Sequence, residues 1–270
     1  MIDTHGHLNL DPLVKDYQEI FAAAQKAGVN QVIIPGVNFE SSEKAVQIAN
    51  EIDQTYPAIG LHPHEAEQVL TTKKSQDIFN WLIEWGSKPT VVAIGECGLD
   101  YFRLPDDPLQ AKHIKAFQKK LFKLHIKAAL QLDKPLIIHI RDVAETLEAN
   151  GAHKDAIDLL EKHRPKGVLH CFSGDQTYLS RALELGMYIS FAGNVTFSNA
   201  GELRHALQKV SQDRLLVETD APFLNPNRGD WPNTPANIAK TYQVVAEELS
   251  ISLADLIKQV KINTQSLFRI

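Results

Sequence analysis

Two histidines stand two positions apart near the start of the chain, as His5 and His7. In a β-strand, side chains two positions apart project from the same face. These imidazoles would therefore lie side by side, which is how a strand presents two nitrogen ligands to a metal ion. Asp3 shares this face and can orient a histidine through its second ring nitrogen. The pair alone is a weak indication, because two surface histidines would give the same pattern.

Four more residues of metal-binding type occur at the ends of short apolar segments further along the chain. They are Glu96, His139, His170 and Asp220. Imidazole and carboxylate groups are ligands that suit zinc, manganese and similar divalent ions. Any one of them alone is better explained as an ordinary core or surface residue. That explanation is poor for four histidines and two carboxylates that all accompany apolar strands.

The segments that must position these residues alternate between strand-like and helix-like patterns. Strands are predicted at about 1–8, 31–34, 57–61, 91–95, 135–140, 167–170, 187–190 and 214–218. Helices are predicted at 16–27, 41–53, 75–85, 108–132, 142–149, 154–162, 176–185, 199–210, 235–249 and 252–259. This pattern predicts an α/β protein that is a single (β/α)8 TIM-type barrel, with one domain over residues 1–270. A doubly wound open sheet is the competitor, and the lack of a glycine-rich loop after the first strand weakens it.

A barrel would bring the ends of the first and last strands together. The carboxyl ends of all barrel strands lie at one rim, where barrel enzymes carry their active sites. Asp220 can then join His5 and His7 around one ion. Glu218 stands two residues before Asp220, so it should also point inward and can support a ligand.

The fifth and sixth strands are neighbours in the same barrel. His139 and His170 can therefore hold a second ion, and Glu96 can reach across to bridge both. Two ions about 3.5–4 Å apart can activate a water and polarise the bond under attack. The arrangement predicts a two-metal hydrolase, in which Glu96 sets the spacing of the ions. Asp220 would both hold a metal and accept the proton of the water.

Composition restricts the partners of the protein. The formal net charge of -5 argues against a broad basic face, so a nucleic-acid substrate must be gripped locally. Cys97 and Cys171 are not at metal-binding spacing, and each follows a predicted ligand by one position. Strand alternation should turn both away from the metals. The sequence has neither a secretory signal nor an apolar run long enough to cross a membrane. We therefore expect a cytoplasmic protein that does not bind a membrane and has no obligate protein partner.

Six motifs in order resemble the TatD-like metal-dependent deoxyribonucleases. They read DTHGHL at 3–8, GLHPH at 60–64, GECGLDY at 95–101, IHIRD at 138–142, HCFSG at 170–174 and ETDAPFL at 218–224. The resemblance continues to Asn263 and to Leu267-Phe268, so it covers nearly the whole chain. It implies a metallo-dependent hydrolase barrel and metal-dependent hydrolysis of DNA.

Two positions depart from the pattern of that family. The family often has a cysteine where this chain has Gly6, a residue that should face away from the metals. After the last strand the family usually carries Arg-Asn-Glu-Pro, whereas residues 232–235 here read Pro-Asn-Thr-Pro. Arginine is a strong phosphate ligand, so its loss bears on the choice of substrate. Arg228 is the nearby candidate to replace it.

Other residues at the predicted rim are candidates for binding substrate. His62 and His64 follow the third strand and can contact a substrate phosphate, although they can equally cap the next helix. Arg141 follows His139 by two positions and can also contact a phosphate. An ion pair of Arg141 with Asp142 or Glu145 is about as plausible.

The leading hypothesis is therefore a deoxyribonuclease with two divalent ions per subunit, which are zinc, magnesium or manganese, and with DNA as its substrate. Phe223 and Trp231 can stack on a base, although aromatic residues in such loops more often pack against protein. In the first alternative, the same metal site hydrolyses an ester or amide bond instead, as in an aminoacyl-tRNA deacylase. The second alternative is a metal-binding scaffold without catalysis.

Overall fold

The computed structural model describes residues 1–143 and 151–270. Eight parallel strands form one sheet in chain order. The strands are β1 Ile2–Asp3, β2 Gln31–Pro35, β3 Thr55–Ile59, β4 Ala93–Asp100, β5 Leu136–Arg141, β6 Gly167–Leu169, β7 Tyr188–Phe191 and β8 Leu215–Val217.

Backbone hydrogen bonds join the ends of the first and last strands. The Asp220 N–H donates to the His5 carbonyl at 2.8 Å, and the His7 N–H donates to the Ala221 carbonyl at 2.7 Å. The sheet is therefore a nearly closed barrel with helices between its strands. The prediction of a single (β/α)8 TIM-type barrel is confirmed.

The α-helices in the described parts of the chain lie between and after the strands. They are α1 Tyr17–Lys26, α2 Phe39–Glu51, α3 Ala66–Thr72, α4 Ser75–Gly86, α5 Pro108–Leu132, α6 Ala152–His163, α7 Gln176–Glu184, α8 Gly201–Leu207, α9 Ile238–Glu248 and α10 Leu253–Phe268. None of these helices combines the length and the apolar character needed to cross a lipid bilayer.

Some elements differ from their predicted bounds. Strand β4 runs from 93 to 100, so it extends well beyond the predicted end at 95. Helix α10 continues to Phe268 rather than ending at 259, and α3 was not predicted. The helix predicted over 142–149 falls almost entirely outside the described residues.

Local sequence explains where the longest helix begins and ends. The Asp107 side chain accepts a hydrogen bond from the Gln110 N–H at the start of α5, and Pro108 occupies the first helical position. Both features favour a helix N-terminus. Asp133 adopts the left-handed conformation that ends α5. Leu136 of β5 is buried three residues later, so the chain turns directly from this helix into the next strand.

The strands are apolar because both of their faces are covered. In β2, for example, Val32, Ile33 and Ile34 are fully buried. Side chains of one face fill the barrel and those of the other pack against the helices, as parallel sheets require. At the end of β3, a Cβ on Gly60 would lie 2.5 Å from the carbonyl carbon of Gly95. Glycine at this position therefore allows the end of β3 to lie close to β4 next to Glu96.

Candidate active site

A cavity of about 600 Å³ opens at the carboxyl end of the barrel strands. Five of the six predicted metal ligands line it, and the sixth, His5, is fully buried beside His7. The lining ligands are His7, Glu96, His139, His170 and Asp220. The structure thus brings together residues that lie as much as 215 positions apart in the sequence, from His5 to Asp220.

The first group of donors joins the two ends of the chain. Nε2 of His5 and Nε2 of His7 lie 3.0 Å apart. The Glu96 Oε2 atom lies 3.4 Å from the first nitrogen and 3.5 Å from the second. The Asp220 Oδ1 atom lies 3.7 Å and 3.6 Å from the same nitrogens. Two imidazoles and two carboxylates therefore converge on one point.

The second group is formed by the fifth and sixth strands. Nδ1 of His139 lies 3.2 Å from Nε2 of His170. The Glu96 Oε1 atom lies 3.0 Å from the former and 3.1 Å from the latter. The two oxygens of Glu96 therefore face two different pairs of histidines.

The chemistry of these donors fits divalent ions. Two ring nitrogens about 3 Å apart can share only one proton between them, so their lone pairs favour a common cation. Imidazole nitrogen with carboxylate oxygen is a donor set for zinc and other transition metals. The six residues can therefore hold metal.

Nearby histidines keep the two acidic groups ionised. Burial alone would raise the pKa of Glu96, but the charge of His170 and the hydrogen bond from His139 outweigh burial and hold the pKa well below its usual range. Burial is likewise outweighed at Asp220, where the hydrogen bond from His7 and the charge of His5 lower the pKa. Metal ligands must be deprotonated to bind, and both carboxylates meet this condition at neutral pH.

Groups behind the ring nitrogens orient the imidazoles. Glu218 lies 3.1 Å from Nδ1 of His170, as its predicted inward direction requires. The Pro35 carbonyl lies 3.1 Å from Nδ1 of His7. Because each acceptor takes the Nδ1 proton, the Nε2 lone pair of each ring is directed toward the centre.

The candidates for substrate binding are only partly brought to the cavity. His62, His64 and Arg141 line it. The Arg141 guanidinium also lies 4.0 Å from the ring centre of Phe102. Arg228 is not among the described side chains that line the cavity, and its guanidinium lies 5.2 Å from the ring centre of Phe197.

The carboxylate of Asp142, one alternative ion-pair partner of Arg141, binds backbone groups. The Asp142 carboxylate accepts backbone hydrogen bonds from Val143 at 2.8 Å and from Ala152 at 2.5 Å. This carboxylate therefore connects β5 to the start of α6. Glu145 lies outside the described residues.

Comparison with known proteins places the chain in a family. Residues 2–269 match the model of the TatD-related DNase family. The chain belongs to this family.

Two relatives span the whole chain at similar identity. The TatD-family chain is 31% identical over 275 residues to the uncharacterized metal-dependent hydrolase YabD of Bacillus subtilis (strain 168), covering 100% of this chain and 99% of that protein. It is also 31% identical over 279 residues to the 3'-5' ssDNA/RNA exonuclease TatD of Escherichia coli (strain K12), with the same coverage.

Solved structures agree with this assignment. YJJV, a TatD homolog from Escherichia coli K12, matches with a TM-score of 0.85 and 29% identity, covering 100% of this chain and 98% of that chain. The protein is therefore a metal-dependent hydrolase of the TatD family.

One acidic residue of this TatD-family site was missed from the sequence. The Asp100 Oδ2 atom lies 2.9 Å from Nε2 of His64 and 3.3 Å from Nε2 of His139. Asp100 ends β4 four residues after Glu96, so strand alternation puts both on the same face. This spacing could have identified it. Arg103 also lines the cavity, and its position in a loop gave no comparable signal.

The predicted role of Asp3 is wrong. Its carboxylate accepts hydrogen bonds from the Thr219 hydroxyl at 2.6 Å, the Thr219 N–H at 2.9 Å and the His5 N–H at 3.2 Å. It therefore contacts backbone and hydroxyl groups rather than an imidazole ring. Burial raises the pKa of Asp3 to about 7, although the hydrogen bonds from Thr219 act in the opposite direction. Asp3 joins the first strand to the end of the last.

The two cysteines differ in their orientation. Cys97 is fully buried and its thiol lies 3.6 Å from the Ile137 carbonyl, so it faces away from the cavity as predicted. Cys171 lines the cavity, and the prediction for it is wrong. Its backbone has a φ of 43°, which interrupts the alternation of side chains after β6. Burial raises the pKa of its thiol well above the usual range, so the thiol is neutral.

Proposed function

We propose that this protein is a deoxyribonuclease that hydrolyses the phosphodiester bonds of DNA with two divalent ions per subunit. The observation that carries this proposal is the position of Glu96, whose two oxygens face separate pairs of histidines. A carboxylate in this position can bridge two ions about 3.5–4 Å apart. The Escherichia coli relative TatD is a 3'-5' exonuclease of single-stranded DNA and RNA, which supports the same class of substrate.

Each ion would have its own ligands besides the shared carboxylate. His5, His7 and Asp220 would hold one ion, and His139 and His170 would hold the other. Bound metal would polarise the phosphodiester and lower the pKa of the attacking water. Zinc, manganese and magnesium are the ions to compare, because the donor set combines imidazole with carboxylate.

Asp220 is positioned to accept the proton of the attacking water. Its side chain is only 15% exposed, yet it lines the cavity that substrate must enter. Its lowered pKa means that it is ionised near neutral pH, as a group that accepts a proton must be. The other carboxylate of the first donor group is Glu96, whose two oxygens face two different pairs of histidines. Asp220 faces only the pair His5 and His7.

A small set of local hydrogen-bond donors would hold the phosphate. His62, His64, Arg103 and Arg141 line the same cavity and can donate hydrogen bonds to phosphate oxygens. This small set agrees with the net charge of -5, which leaves no excess of basic residues for a broad binding face.

One observation favours a second substrate class. Arg228 does not line the cavity, so the loop after β8 supplies no arginine to it among the residues described. An uncharged ester or amide would need fewer cationic contacts than a phosphodiester. Hydrolysis of an aminoacyl ester is therefore the alternative activity of the same centre.

Metal-loaded protein should be assayed with matched single-stranded DNA, RNA and aminoacyl ester substrates in zinc, manganese and magnesium. We expect hydrolysis of DNA, with the Glu96→Gln variant nearly inactive because its amide can no longer bridge two cations. Hydrolysis of the ester alone would replace the proposal by the second activity. Stoichiometric metal binding without turnover of any substrate would support a non-catalytic scaffold.

A further inference from the structure

The exposed aromatic side chains all lie at one end of the molecule. Among the Phe, Tyr and Trp residues, all of which are described, the exposed ones are Phe102 at 46%, Phe223 at 45% and Trp231 at 62%. Phe102 follows β4, and the other two stand in the loop after β8. Single exposed apolar residues need no explanation, but several exposed rings at the end of the barrel that carries the cavity indicate a binding surface.

Two of these rings form a pair beside the metal centre. The ring centres of Phe223 and Trp231 lie 5.9 Å apart, with their planes tilted by 47°. The Phe223 ring centre lies 6.4 Å from that of His7, and Phe223 lines the cavity. A planar ligand on this pair would therefore lie next to the first group of metal donors.

The loop that carries the pair is tied together by one buried side chain. Asn233 is fully buried, and its Nδ2 donates to the Phe223 carbonyl at 2.7 Å and to the Thr219 carbonyl at 3.1 Å. The Phe223 N–H also donates to the Asp220 carbonyl at 2.8 Å. The aromatic pair is thereby held in a defined position relative to Asp220. A site ordered in advance loses less entropy when it binds.

Cationic groups stand on the other side of the same opening. Arg103, in the loop after β4, and Arg141, the last residue of β5, both line the cavity. Guanidinium groups complement phosphate, and aromatic faces complement bases. Single-stranded nucleic acid offers both groups on successive parts of one chain, whereas the bases of a duplex are already stacked on their neighbours.

We propose that Phe223 and Trp231 form a stacking site for an unpaired nucleobase, whose adjoining phosphodiester enters the centre between Glu96 and Asp220. This inference rests on the proposed hydrolysis of DNA and names the part of the substrate that the loop after β8 recognises. Stacking of a base on an aromatic side chain contributes about 1–3 kcal/mol in single-stranded nucleic-acid complexes. The corresponding change in affinity is roughly 5- to 150-fold.

The test compares two probes on metal-loaded protein. One is a short phosphorothioate oligothymidylate, which resists hydrolysis, and the other is a phosphorothioate backbone of equal length without bases. The thymidylate should quench tryptophan fluorescence and bind roughly 5- to 150-fold more tightly than the abasic backbone. Trp231→Ala should remove both the quenching and most of this difference. Phe223→Leu keeps apolar volume without an aromatic face and should reduce the difference as well.

Ile262→Ala is the matched control, because Ile262 is 48% exposed on α10 and its loss removes apolar surface elsewhere. It should leave both affinities unchanged. Equal preference for the thymidylate in wild type, Trp231→Ala and Phe223→Leu would overturn the stacking site, as would a wild type that binds both probes equally. Failure of the proposed function would appear separately, as a lack of hydrolysis of ordinary oligothymidylate by the metal-loaded wild type.

Discussion

Glu218 accepts two hydrogen bonds at the end of the sixth strand through a single oxygen. Its Oε1 lies 3.1 Å from Nδ1 of His170 and 2.8 Å from the Cys171 backbone nitrogen. The Nδ1 proton of His170 is therefore directed at Glu218, and its Nε2 is left to face Glu96. Glu218 is not one of the six predicted ligands, yet it determines which ring nitrogen of His170 faces the metal site.

The variant Glu218→Gln should weaken metal binding about 10- to 100-fold, because the oriented carboxylate behind His170 is lost. The effect should fall on the ion held by His139 and His170. Titration of apoprotein against a competing chelator measures both binding constants. Pro35 supports His7 through its backbone carbonyl, so the ion at His5 and His7 should retain its affinity and serves as the internal control. Unchanged affinity of both ions would show that Glu218 does not support a ligand.

Elemental analysis of reconstituted protein should give about two equivalents of divalent metal per chain, since the donors form two groups that share Glu96. Glu96→Ala removes an oxygen from each group and should lower the affinity for both ions. Equilibrium dialysis followed by elemental analysis measures the loss. Folded wild-type protein that binds no metal at saturating concentrations would contradict the assignment of the site.

His139→Ala and His170→Ala should each abolish turnover and leave the barrel folded. Residues at the carboxyl rim of a barrel serve chemistry, whereas the strand and helix interior supplies the stability. Circular dichroism and thermal unfolding of the apoproteins measure the fold independently of activity. Variants that unfold while retaining their full metal content would show instead that these histidines are structural.

Asp220→Asn should lower kcat about 10²- to 10⁴-fold even when the protein is saturated with metal. The amide keeps the size of the side chain and one oxygen ligand, but it can no longer accept the proton of the attacking water. The loss should appear in kcat rather than only in KM, because proton transfer belongs to the transition state. Steady-state kinetics at several metal concentrations separate this effect from weaker metal binding. Near wild-type kcat would reject Asp220 as the base.

His125 links helix α5 to the segment that carries two histidines of the cavity. Its Nε2 accepts a hydrogen bond from the Leu61 N–H at 3.0 Å, and its Nδ1 donates to the Leu121 carbonyl at 2.9 Å. Both contacts require a neutral ring with its proton on Nδ1. Burial lowers the pKa of His125 to about 4 from its ordinary value of 6.5, although the hydrogen bond to Leu121 acts to raise it.

Acidification should therefore destabilise the fold through His125. Between pH 6.5 and about 4 the unfolded chain binds this proton and the folded chain does not, so the free energy of unfolding falls as pH falls. The accumulated loss is about 3 kcal/mol. His125→Gln, which cannot titrate, should show a shallower pH dependence in denaturant unfolding than wild type. His113→Gln, at an exposed position on the same helix, should keep the wild-type slope. Equal slopes in all three proteins would exclude this role for His125.

The sequence by itself determined the alternation of strands and helices, and with it the barrel. Apolar runs such as 31–34 and the helix bounded by Asp107 and Asp133 depend on local patterning and capping, which neighbours in the chain decide. It also predicted that six residues of metal-binding type would meet at the rim, because the ends of apolar strands in a barrel lie there. The structure brings these six together as expected.

Only the tertiary structure decided how the chain continues beyond each strand. Cys171 turns into the cavity because its φ is 43°, and Asp3 turns to Thr219 because closure of the barrel brings that residue within 2.6 Å. Asp100 meets His64 across 36 positions of sequence, and Arg228 is directed to Phe197 instead of the cavity. These directions depend on hydrogen bonds and packing between segments that are distant in the chain. The spacing of Asp100 from Glu96 indicates the face of β4 that carries it, but the local sequence does not encode the partners of these side chains, because the partners meet only once the barrel has closed.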